Sequence, residues 1–143
     1  MPASTEMTSS FPARGKVIER RGSDRIVFAA QNTNYELELL ADNHTAPLNV
    51  LTDGHVHVTA RKIWTVPSGG NFISPVLGPP RTIQGRIRVL GDRSIVVQAG
   101  CPIVVEFPTL ESGIDLANGP MQVGAMVNIM AMPGASFRAM NAG

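Results

Sequence analysis

Apolar and polar residues alternate with period two along much of this chain, which is the pattern of half-buried strands rather than of helices. Val56, Val58 and Ala60 fall on one face, with His55, His57, Thr59 and Arg61 on the other. Tyr35, Leu37 and Leu39 alternate with Glu36 and Glu38, and Ile26, Phe28 and Ala30 share a face. Further along, Ile103, Val105 and Phe107 repeat the pattern, as do Val127, Ile129 and Ala131. β-Branched residues dominate these stretches, as pleated surfaces favour. Gly22-Ser23-Asp24 and Gly91-Asp92 carry the turn chemistry of tight hairpins. Pro67-Ser68-Gly69-Gly70 and Pro133-Gly134 predict two more hairpins, each joining the last two strands of a unit. Longer links span 41–53 and 108–123, and the stretch 111–118 has room for one helical turn or a short helix.

The strand pattern occurs twice. Gly15-Lys16-Val17-Ile18 matches Gly85-Arg86-Ile87-Arg88, and Gly22–Phe28 matches Gly91–Val97. Tyr35–Leu39 matches Ile103–Phe107, His55–Ala60 matches Met126–Ala131, and Pro67–Phe72 matches Pro133–Phe137. The blocks keep their order, so each half is expected to read as three strands, a long link and two more strands.

Three meandering strands, a connection and two further strands resemble the OB-fold, a five-stranded Greek-key barrel that often binds oligonucleotides or oligosaccharides. The resemblance rests on element order and on a glycine before each fourth strand, Gly54 and Gly124. It implies an all-β protein of two tandem five-stranded OB-like small barrels related by an internal repeat. The first barrel would span 13–78 and the second 83–142, joined by a Pro-rich linker at 79–82, with residues 1–12 a disordered tail. A single intertwined barrel built from both repeats is the alternative.

Composition narrows the classes. Charged residues make up 16% of the chain against 43% apolar ones, which excludes general disorder and suggests apolar surface that something covers. No stretch reaches the length of a membrane span or of a signal-peptide core, so a cytoplasmic protein without membrane contact is expected. The single cysteine, Cys101, rules out an internal disulfide. Net charge is only +1, but residues 61–93 hold six basic groups against Asp92 alone. Folding can gather that basic middle into a patch.

On the OB frame the first hairpin loop offers Arg20, Arg21 and Arg25. The loop between the last two strands offers Ser68-Gly69-Gly70-Asn71, flanked by Trp64 and Phe72. With Arg61, Lys62, Arg86 and Arg88 these supply cations for phosphates and flat faces for bases. Phe72 and Phe137 recur at matching positions and read as core. Met126, Asn128, Met130 and Met132 lie on a nominally outer face, and Met126, Met130 and Met132 read as an interface with another barrel, subunit or partner. His55 and His57 have a spacing that can seat two metal ligands, but no Cys cluster or close third ligand accompanies them, so no metal site is expected. Cys101 between Gly100 and Pro102 has no evident activating base, and no phosphate loop, nucleophile elbow or dinucleotide fingerprint is present. The expectation is a non-enzymatic module, without cofactor, for single-stranded DNA or RNA. The alternative is a structural or adaptor protein that self-associates or docks to a protein through its Met-rich face.

Overall fold

The computed structural model describes residues 11–41, 47–108 and 113–139. Twelve strands and no α-helix occur among the described residues. They are β1 (Ala13–Arg21), β2 (Arg25–Ala30), β3 (Glu36–Leu40), β4 (Leu51–Val66), β5 (Phe72–Ser74), β6 (Leu77–Gly78), β7 (Thr82–Leu90), β8 (Ser94–Gln98), β9 (Pro102–Glu106), β10 (Ile114–Asp115), β11 (Met126–Ala131) and β12 (Ser136–Ala139). All-β architecture is thus as the alternation predicts. Part of the expected tail (1–10), part of the first long link (42–46) and part of the second (109–112), including the start of the expected short helix, lie outside the described residues. Where that helix was expected, Ile114 and Asp115 form β10.

The strands join in one sheet whose pairings close two circuits. In the first, β1 pairs β2, β2 pairs β3, β3 meets β12, β12 pairs β4, and β4 returns to β1. In the second, β4 pairs β11, then β7, β8 and β9 follow, and β9 returns to β4. The start of β4 serves the first circuit and its remainder the second. The β3–β12 and β9–β4 contacts are parallel; the other ladders of both circuits are antiparallel.

This pairing departs from two tandem units with their own fifth strands. No hairpin forms at Pro67–Gly70, because β4 runs unbroken for 16 residues and β5 pairs with β7 instead. Nor do β11 and β12 pair with each other across Pro133-Gly134; both lie along β4, one after the other. The strand that closes the first circuit therefore comes from the end of the chain, and the strand that closes the second comes from its first half. Of the expected linker 79–82, Thr82 already belongs to β7, which follows β6 ending at Gly78, and β12 pairs back across this stretch.

One apolar core runs through both circuits. Ile73, Ile83, Ile129 and Ile63 are register partners on β5, β7, β11 and β4, each at most 2% exposed, and half-buried Ile114 on β10 extends the row. Phe137 on β12 stacks on Phe28 of β2, with ring centroids 4.7 Å apart. Tyr35 ties the halves together: its ring lies against Gly100, and its hydroxyl oxygen accepts the Ile73 N–H at 3.1 Å. A second, small cluster of Val89, Val96 and Val104 sits on the opposite face, with Phe11 packed on it. Phe11 also lies 4.7 Å from the Arg88 guanidinium.

Candidate functional site

Side chains of register partners emerge on the same face of a sheet. The isoleucine row faces inward, so the next positions face out. There Trp64 on β4 pairs with Asn128 on β11, Asn128 with Gln84 on β7, and Gln84 with Phe72 on β5. At the other end Trp64 pairs with Asp115, whose Oδ1 accepts the Ala117 N–H at 2.9 Å. The outward row thus has an aromatic ring at each side and two amides between. Strands are about 4.8 Å apart, so Trp64 and Phe72 stand about 14 Å from each other.

Cations flank the row. On one side Lys62 pairs with Met130, which pairs with Thr82; on the other Val66 pairs with Met126, which pairs with Arg86. The Lys62 ammonium lies 5.7 Å from the Trp64 ring centre, and Arg86 donates to the Gly124 carbonyl at 2.8 Å. Both cations are exposed. Lys62 reaches this face because β4 bulges: the register slips between Ala60 and Lys62, so Arg61 and Lys62 are both exposed before Ile63 turns inward.

The connection from β4 to β5 bounds the row. Gly70 donates its N–H to Gln84 Oε1 at 3.0 Å. A Cβ on Gly69 would lie 2.2 Å from that same oxygen, so a larger residue there would push the Gln84 amide out of this position. The Gly pair serves this contact with the protein's own side chain. Gln84 Nε2 in turn donates to Asn128 Oδ1.

Comparison with protein-family models, curated proteins and solved structures gives no match.

Of the residues expected at the site, the structure gathers Lys62, Trp64 and Arg86 on one face and separates the others. Arg20, Arg21 and Arg25 are exposed around the β1–β2 hairpin. Arg21 pairs with Glu19 at 2.9 Å and with Glu38 at 3.6 Å, and Arg25 pairs with Glu38 at 3.2 Å. Carboxylate neighbours offset Arg21 and Arg25, and Arg25 borders a groove with Pro79 and Pro133 rather than an aromatic ring. Arg88 is engaged with Phe11 and, at 3.4 Å, with Gln98. Arg61 occupies the bulge, and its carbonyl abuts Gly113.

The methionines divide too. Met126 is 5% exposed, covered although its register places it on the outer face beside Arg86, whereas Met130 and Met132 are 42% and 41% exposed. The two phenylalanines expected in the core part company: Phe137 is 5% exposed, but Phe72 is 36% exposed and joins the outer row. From sequence Asn128 was placed on an outer face but given no role, and Gln84 was not singled out. Their one signal was alternation, since each sits between two inward residues of its strand.

Elsewhere the chemistry is sparse. The His55 and His57 rings are 6.2 Å apart on β4, and His55 Nε2 is buried without a hydrogen-bond partner. Among the described residues no group of three or more His, Cys, Asp or Glu is placed to hold a metal. Burial pushes the Cys101 thiol up to about 12, which keeps it protonated and a poor nucleophile. No helix among the described residues is long and apolar enough to cross a membrane.

Proposed function

We propose that this protein is a non-enzymatic module that binds single-stranded nucleic acid on the outer face of β4, β11, β7 and β5. The observation that carries the reading is the outward row Trp64–Asn128–Gln84–Phe72 with Lys62 and Arg86 on its flanks. Rings stack on bases of any sequence, cations meet the backbone phosphates, and amides address base edges. The reading concentrates the function in the basic middle segment, where the charge excess lies, and excludes the hairpin arginines.

We further read the two circuits as OB-like units that have exchanged their fifth strands. The parallel contact of strands three and five and the antiparallel contact of strands one and four support this. On that reading the site uses strands one, four and five of the second unit. The OB-fold more often presents strands two and three, but here the outer positions Val96 and Val104 of β8 and β9 are already covered together with Phe11.

The test is fluorescence anisotropy of a labelled 12-nucleotide strand. Binding is expected at 50 mM salt and to weaken about sevenfold to twentyfold at 200 mM, as suits two or three phosphate contacts. Trp64→Ala is expected to cost at least about fivefold, since stacking contributes about 1–3 kcal/mol per base. A paired Arg21→Ala and Arg25→Ala change leaves affinity within about twofold, as expected of exposed side chains with nearby carboxylates. No binding at low salt overturns the proposal.

A second reading has its own observation: Met130, paired with Lys62, is an exposed apolar residue on this same face. If two copies associate there, Met130→Glu abolishes a concentration-dependent dimer in sedimentation. A monomer at all concentrations removes that reading.

A further inference from the structure

We propose that the outward row selects carbonyl-bearing bases, with thymine and uracil favoured and adenine disfavoured. The inference rests on the nucleic-acid reading above and names the ligand class of that same face.

The reasoning starts from the direction of each hydrogen bond. An amide side chain has one acceptor oxygen and one NH₂ group. Free of other duties, Asn or Gln reads adenine through both, accepting from the exocyclic amine and donating to a ring nitrogen. Each amide oxygen in this row already accepts one hydrogen bond from within the protein, which leaves it one lone pair, while the NH₂ hydrogens are less used. Gln84 Oε1 accepts the Gly70 N–H at 3.0 Å, in a contact that Gly69 makes room for. Asn128 Oδ1 accepts from Gln84 Nε2. The chain of donation runs Gly70 to Gln84 to Asn128, and it ends in the NH₂ group of Asn128.

What faces the ligand is therefore weighted to donors. Asn128 Nδ2 and the second hydrogen of Gln84 Nε2 stand between Trp64 and Phe72, with the Lys62 and Arg86 cations on the flanks. The Asp115 carboxylate lies at the far side of Trp64 and accepts the Ala117 N–H. The hydroxyls of Thr82 and Ser74 sit one row away, beside Met130. A base over the amides is best matched by acceptors. Thymine and uracil each present two carbonyl oxygens, while adenine is the one common base with none. Adenine would also bring its exocyclic amine against donors, leaving that group unpaired where water is displaced.

The test compares anisotropy titrations of labelled oligo(dT) and oligo(dA) of equal length at 50 mM salt. The wild-type chain is expected to favour oligo(dT) by at least about fivefold. Because adenine strands resist unstacking, the decisive readout is how the ratio moves in variants. Asn128→Asp puts an acceptor where the donor was, and the oligo(dT) preference is expected to collapse or reverse. Asn128→Ala, which removes the group without adding charge, is expected to reduce it. Circular dichroism establishes that both variants retain strand structure. If neither strand binds the wild-type chain, the nucleic-acid reading and this inference both fall. If both strands bind but the ratio is the same in wild type and in both variants, only this inference is overturned.

Discussion

At Gly54 the chain has no room for one more carbon. A Cβ there would lie 2.4 Å from the Phe137 ring, which itself stacks on Phe28 in the first circuit. The ring cannot yield without unstacking, so Gly54→Ala is expected to cost about 1–3 kcal/mol, read as a lower urea midpoint with unchanged slope. Gly54 was legible from sequence only as a glycine before a strand; the phenylalanine that needs it lies far along the chain. The same distance explains the misreading of Phe72. Its match to Phe137 suggested a shared core role, but each phenylalanine follows a different path after its fourth strand. By contrast, inward positions such as Val56, Leu37, Ile103 and Ile129 were readable directly, because alternation alone decides them.

At the scale of the element, β4 decides most of what the protein is. From His55 to Val66 it contains no Gly or Pro, so nothing stops the strand before Pro67. Its single irregularity, the bulge at Arg61, shifts the alternation by one and delivers Lys62 beside Trp64. Sequence reading carried the phase of Val56, Val58 and Ala60 only that far, and the cause of the shift is a pairing with β11 that no local signal reveals. The same strand carries the histidines. Burial, with His55 and Arg138 nearby, holds the His57 imidazole below its usual pKa despite the opposing pull of Glu106. The unfolded chain then binds a proton more readily than the folded one, so stability is complete above about pH 6.5 and declines as pH falls through that value toward the lower folded pKa. Urea midpoints are expected to be lower at pH 5 than at pH 7.5, and His57→Gln is expected to narrow the gap.

For the whole molecule the consequence is mutual dependence. The first circuit lacks its closing strand without β12, and the second lacks β4 without the first half of the chain. Fragments 1–78 and 79–143 are each expected to show weak strand signal by circular dichroism, and mixing them is expected to restore it. Two fragments that each fold alone would contradict this dependence. Alternation located the main strands in their order but predicted five in each half where six occur among the described residues; it could not carry the pairing of β12 and β9 with β4, because a strand's alternation says which face is buried and nothing about whose edge it joins. The candidate face shows the same limit. Trp64, Lys62 and Arg86 were readable as candidates by residue type, but Arg21 and Arg25 were equally so until Glu19 and Glu38 proved to be their neighbours.

Trp64 is the chain's single tryptophan, so its emission reports from the proposed site alone. Titration with oligo(dT) at 50 mM salt is expected to quench that emission to saturation, and added salt is expected to reverse it. Emission that stays constant through saturating oligonucleotide, whether or not the strand binds elsewhere, would contradict the account.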